Sequence, residues 1–144
     1  MFKAKELIQT LCTDLNYRFF SGVYYEKFHQ LYKYLDSTEL KYIRSIDERT
    51  GLGLSFGSAI SGMGSVFILD LKFSSLIYPY LPFIIQAKLP FFILGCGSSD
   101  EWSFAGLPKM VLKDSDSIIM LSKTMDMKKT PGVLIVEEGV LKWK

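Results

Sequence analysis

Arg44-Ser-Ile-Asp-Glu-Arg-Thr-Gly-Leu-Gly-Leu-Ser-Phe-Gly57 is a run in which a β-like segment ends in two acids and then opens into a helix rich in small residues. In an open α/β sheet, ligands bind along the edge formed by the carboxyl ends of the strands, so an acid at that point is a candidate site residue. Glu48 is the first such candidate. The same spacing also fits a plainer reading, in which Asp47 and Glu48 only favour the helix N-terminus through its dipole. Gly51, Gly53, Ser55 and Gly57 supply the small side chains that close helix packing needs.

Working outward, Leu7, Ile8, Leu11 and Leu15 recur at helical spacing, and residues 17–21 form a short aromatic strand pattern ending at Gly22. Tyr24, Phe28, Leu31, Tyr32 and Leu35 share one stripe with Glu26, Lys27, Gln30 and Lys33 opposite, which predicts an amphipathic helix over 23–35. His29 falls beside that stripe and reads as a surface residue. A strand over 40–46, a helix over 48–62 and an apolar strand over 65–71 make the βαβ order explicit. A helix over 74–87 and a buried strand over 91–94 follow, then a polar glycine-rich loop from Gly95 to Gly106 that is the second candidate site. A short strand at 110–112, a helix over 115–127 and a strand over 133–136 complete the series. The expected fold is a single α/β domain with a mostly parallel sheet of about six strands covered on both faces.

The chain has 144 residues, 17 basic and 15 acidic, with 49% apolar and 15% aromatic residues. That length suits one domain with a real core, and the apolar content points to an oligomer. Its net charge of +2 has no basic stripe, so nucleic acid is not expected as a partner. Cys12 and Cys96 lie far apart with no CxxC, which fits a reducing cytoplasm, and His29 as the lone histidine leaves no zinc ligand set. Residues 76–95 are nearly uncharged over the length of a membrane span. Pro79, Pro82, Pro90, Gln86 and Lys88 interrupt them, so a helix and then a strand are expected there. The methionines at 110, 120, 125 and 127 read as core and interface filler.

Gly51-Leu-Gly53-Leu-Ser-Phe-Gly57 is not a dinucleotide fingerprint, because Asp47 to Thr50 separate it from its strand. There is no Walker lysine, no G-x-S-x-G elbow and no cysteine with a nearby histidine, which removes the standard hydrolases.

Five stretches, in order, resemble the pyrimidine-binding (PYR) domain of thiamine diphosphate-dependent decarboxylases, closest to the sulfopyruvate and phosphonopyruvate decarboxylases. Phe19-Phe-Ser-Gly-Val23 is similar to the first-strand signature FFSGVP, with Tyr24 in place of the proline. Asp47 to Gly57 resembles NEGNAxAxAAG; Pro79, Lys88 and Pro90 fall where the family has its proline and its KIP; Asp100-Glu101 is like the start of DEPQH; and 131–136 resembles the closing strand. The resemblance implies that Glu48 bonds and activates the aminopyrimidine ring of thiamine diphosphate, with Gly22, Val23 and Asp70 also at the cofactor. It further implies a small 2-oxo acid substrate near Lys72, Asp100 and Glu101. The diphosphate-binding domain and its GDG metal motif are absent from these residues, so Mg2+ would be held by a partner chain and the protein would be an α-type subunit. The chain departs from the family at Leu69 to Ser74, where QNSGLG is usual, at Cys96-Gly97, where RG is usual, and at Phe104, which replaces the DEPQH histidine. A catalytically degenerate or regulatory subunit is therefore the second reading. Lys72 could equally be a solvated helix-opening lysine, Asp100 and Glu101 could solvate an exposed loop, and Trp102 reads as an interface or lid residue.

Overall fold

Six strands, all parallel, form the central sheet in the computed structural model, which describes residues 2–138 and 140–142. They are β2 (Tyr17–Val23), β3 (Lys41–Ser45), β4 (Gly64–Asp70), β5 (Phe92–Cys96), β6 (Lys109–Val111) and β7 (Gly132–Val136), in the order β3-β2-β4-β5-β7-β6. The short segments β1 (Phe2–Lys3) and β8 (Leu141–Lys142) pair separately, also in parallel. The helices are α1 (Ala4–Gln9), α2 (His29–Asp36), α3 (Glu48–Ile60), α4 (Leu81–Gln86) and α5 (Ser115–Lys128), with α1 running on into a π-helical turn at Thr10–Asp14.

The handedness of parallel crossovers decides which face each helix covers. From β2 the chain steps outward to β3, then reverses across β2 to reach β4, and a right-handed connection must change face whenever its direction changes. Accordingly, α2 packs on one face and α3 on the other. The steps from β4 to β5 and from β5 to β6 keep the second direction, so α4 and Trp102 share the α3 face; the return from β6 to β7 sends α5 back to the α2 side. Side chains alternate to match: in β4, Val66 and Ile68 join the core beneath α1, α2 and α5, while Phe67 and Leu69 join the core beneath α3 and α4. Burial on both faces explains why 66–69 and 91–94 are continuous apolar runs rather than alternating ones.

Several sequence expectations shift at their boundaries. The helix expected over 23–35 begins only at His29, after a 3-10 turn at Glu26–Phe28, so Lys27 is not on a solvated helix face. In place of one helix over 74–87 there are 3-10 turns at Leu71–Leu76 and Tyr78–Tyr80 and then the short α4. Pro79 and Pro82 lack the N–H that a continuous helix would need, and each sits in a first turn, where none is needed. Among the described residues no helix is long and apolar enough to cross a membrane.

The small residues of α3 divide by face. Gly51, Ser55 and Ala59 are buried, Ser21 Oγ donates to the Gly51 carbonyl at 2.7 Å, and Ser65 Oγ donates to that of Ser55 at 2.7 Å. Gly53 and Gly57 pack against nothing, which corrects the expectation that all four small residues serve close packing. Trp102 is a second correction: it is 4% exposed, donates Nε1–H to the Phe104 carbonyl at 3.1 Å, and packs edge-on against Tyr78. The methionines split, with Met125 in the core and Met120 and Met127 exposed.

Candidate functional site

Because the helical segments following β2 and β4 lie on opposite faces, a gap opens between them at the carboxyl ends of these adjacent strands, the usual ligand position in an open α/β sheet. Three segments meet there: 22–28 after β2, the start of α3, and 70–73 after β4.

Asp47 and Glu48, a pair that spacing alone could not separate, take different roles. Asp47 is the N-cap of α3, with extended backbone and a carboxylate that accepts the Thr50 N–H at 2.7 Å; that bond holds its carboxyl below the usual range. Glu48 is left free of capping. Half-buried, it accepts a hydrogen bond from the hydroxyl of Tyr25 across the gap. Tyr25 in turn stacks on Phe73, with ring centroids 5.4 Å apart and planes 15° from parallel. Burial first, and then the hydrogen bond to Glu48 and its charge, push the Tyr25 phenol well above its ordinary pKa, so it remains a donor at any physiological pH.

A second contact crosses the same gap. Lys27 Nζ lies 2.7 Å from Asp70 Oδ1, and Asp70 also accepts the Lys72 N–H at 3.2 Å. Asp70 is 2% exposed, and a carboxylate so buried needs a cation. The neighbouring Cys96 thiol is pushed up to about 12 by burial, against the pull of Lys27, so it is a packed neutral group rather than a nucleophile. Lys27→Met should lower stability by about 2 kcal/mol, below the range for fully buried pairs because Lys27 itself is 45% exposed. The drop in urea midpoint measures this, and adding Asp70→Asn should recover part of it.

Gly22 and Val23 form the floor. A side chain on Gly22 would meet the Ile68 carbonyl at 2.5 Å, and the Val23 carbonyl accepts the Tyr32 hydroxyl at 3.1 Å. Glu48, Gly22, Val23 and Asp70 are thus gathered at one place.

The candidate substrate residues lie further along the same edge. Lys72 and Glu101 line a separate cavity of about 260 Å³ with Leu71, Ser74, Ser75, Tyr78 and Ser103, whereas Asp100 does not line it. Glu101 is engaged locally, accepting the Ser98 N–H at 2.7 Å. Tyr78 centres the cavity's hydrogen bonds, accepting the Ser103 N–H at 2.8 Å; burial raises its pKa, but donors from Ser103 and Ser74 outweigh that and leave it below its ordinary value. Among the described residues, no group of three or more His, Cys, Asp or Glu side chains could hold a metal ion.

Tyr25, Lys27, Phe73 and Tyr78 were not singled out in the sequence. Tyr25 and Lys27 stood within an expected amphipathic helix, and only the late start of α2 brings them over the sheet edge.

No protein-family model and no curated protein sequence matches the chain. Among solved structures, the chain is similar to a 2-oxoglutarate:ferredoxin oxidoreductase from Magnetococcus marinus, solved with 2-oxoglutarate, coenzyme A and succinyl-CoA bound. The TM-score is 0.71 at 12% identity, over 96% of this chain and 29% of that one. It is also similar to a split-gene transketolase solved as an inactive β4 tetramer, with a TM-score of 0.60 at 14% identity, over 92% of this chain and 49% of that one. At these identities the likeness is one of fold, and the chain spans less than half the length of either neighbour.

Proposed function

We propose that the chain is the pyrimidine-binding subunit of a thiamine diphosphate enzyme acting on a small 2-oxo acid, completed by a partner that carries the diphosphate- and Mg2+-binding domain. The observation that supports this most is the placement of Glu48, half-buried and uninvolved in helix capping, beside the gap between β2 and β4. The fold neighbours, an oxidoreductase solved with a 2-oxo acid bound and a transketolase encoded by a split gene, support the same reading. The residues fit an aminopyrimidine: Glu48 offers a carboxylate for a protonated ring nitrogen, and Phe73 offers a flat face. When bound, the cofactor supplies the carbanion chemistry of decarboxylation; this chain orients the ring and sets its protonation through Glu48. The decarboxylase assignment, and its sulfopyruvate or phosphonopyruvate variant, rest on the sequence resemblance.

The partner would seat on the α3 and α4 face, where Ile46, Ile60, Leu76 and Phe83 are exposed and Gly53 and Gly57 leave α3 bare. One observation favours the alternative of a cofactor-free partner subunit: Glu48, Asp70 and the Val23 carbonyl each have a hydrogen-bond partner within the chain. Co-expression with a chain carrying a GDG metal motif tests the choice. A stable complex that releases CO2 from a 2-oxo acid only when thiamine diphosphate and Mg2+ are added is the expected result. A complex that forms without binding cofactor selects the alternative.

A further inference from the structure

The Tyr25 contacts carry an inference that rests on the reading of Glu48 above and adds a means of control at that site. Tyr25 comes from the segment after β2, and both residues it engages come from elsewhere: Glu48 from α3 and Phe73 from the turn after β4. One side chain therefore closes the gap, holding by its hydroxyl the acid that a ring nitrogen would need and by its ring the flat surface that a heteroaromatic would use. The opening needs only the Tyr25 side chain to swing out, because its neighbours are anchored: Phe28 is buried in the core and Lys27 is paired with Asp70.

We propose that Tyr25 is a gate on Glu48: a flat nitrogen heteroaromatic, its ring nitrogen taking up a proton from solvent, enters by displacing the tyrosine, so that the Glu48 carboxylate exchanges a phenol O–H for that ring N–H and Phe73 exchanges one stacked ring for another. The exchange conserves the number of hydrogen bonds to the carboxylate, which keeps it reversible. It also gives the ligand-free chain a satisfied, closed edge. The Lys27–Asp70 pair spans the same gap and stays in place while Tyr25 moves, because the buried carboxylate needs its cation.

The test uses the full chain and 4-amino-2-methylpyrimidine, the ring alone, as probe. The chain carries tyrosine labelled with 13C at Cζ, and the Tyr25 resonance is identified by its loss in Tyr25→Phe. In the ligand-free protein, Glu48→Gln should shift this resonance. The probe at millimolar concentration should shift it in the wild type, and calorimetry should give an affinity about tenfold higher for Tyr25→Phe, which keeps the ring but not the competing bond. The melting temperature of Tyr25→Phe should fall by only the few degrees that one lost hydrogen bond is worth, separating a gate from a folding defect. Equal or weaker binding by Tyr25→Phe overturns the gate and leaves the Glu48 reading standing. Probe binding to Tyr25→Phe that is unchanged by adding Glu48→Ala removes Glu48 from the site, and a probe that binds neither the wild type nor Tyr25→Phe overturns both readings.

Discussion

Glu48→Gln should slow the C2 proton exchange of thiamine diphosphate bound to the reconstituted pair by roughly 10²–10³-fold, the scale on which a single electrostatic contact to a reacting centre is felt. The substitution suits the question because it changes little else. Glutamine is nearly the same size, and its amide oxygen can still accept the Tyr25 hydroxyl, so the packing of 22–28 against α3 is kept. What is lost is the negative charge that favours a proton on the ring nitrogen. Neutral glutamine can still hydrogen-bond the ring, so cofactor affinity should change little while the exchange rate falls, the pattern of an interaction that matters more to the reaction than to binding. Hydrogen-deuterium exchange followed by NMR, wild type against variant, gives the ratio. Equal rates in a complex shown to bind cofactor would remove Glu48 from the chemistry.

The parts of the molecule that could be read from sequence are those set by local pattern. The apolar runs ending at Asp70 and Cys96, the helix opening at Glu48 and the alternation of strand and helix require the six-stranded parallel sheet that is present. What could not be read is set by contacts between distant segments. Lys27 looked like one more polar residue opposite an apolar stripe, yet its partner is Asp70, 43 positions away. Spacing could not divide Asp47 from Glu48, because a cap and a ligand-facing acid have the same composition; only the Thr50 N–H and the Tyr25 hydroxyl tell them apart. Nor does a glycine in a helix announce its face. With 3.6 residues per turn, Gly51 and Ser55 fall inward and Gly53 and Gly57 outward, an assignment that needs the position of the sheet.

That division of the glycines leads to the second large effect, Gly51→Val. A Cβ at Gly51 would stand 2.6 Å from Ser45 Oγ, 2.9 Å from a Phe67 ring carbon and 3.3 Å from the Gly22 Cα. Gly22 is backbone in β2 and Phe67 a buried ring in β4, both strands paired on two sides, so neither can give way by a rotamer change alone; only Ser45 Oγ, on the edge strand β3, can turn aside. Crowding of this kind costs about 1–3 kcal/mol for an added methylene or two, and valine brings more than that, so a loss of about 3 kcal/mol is expected, a large share of the ~5–15 kcal/mol that holds a domain together. At the scaling for this size, Tm should fall by roughly 10 °C. Gly53→Ala is the control. It lies on the same helix with no atom within 4 Å of the new methyl, so it should stabilise the isolated chain by about 0.5–1 kcal/mol through helix propensity alone. Opposite signs at positions two residues apart would show that α3 is seated on β2 and β4 through Gly51. Because Glu48 opens the same helix, the strain should also displace the carboxylate from Tyr25, and the effect of Glu48→Gln on the Tyr25 resonance should then be smaller in the Gly51→Val background. A Gly51→Val protein that unfolds at the wild-type midpoint would refute this seating of the helix.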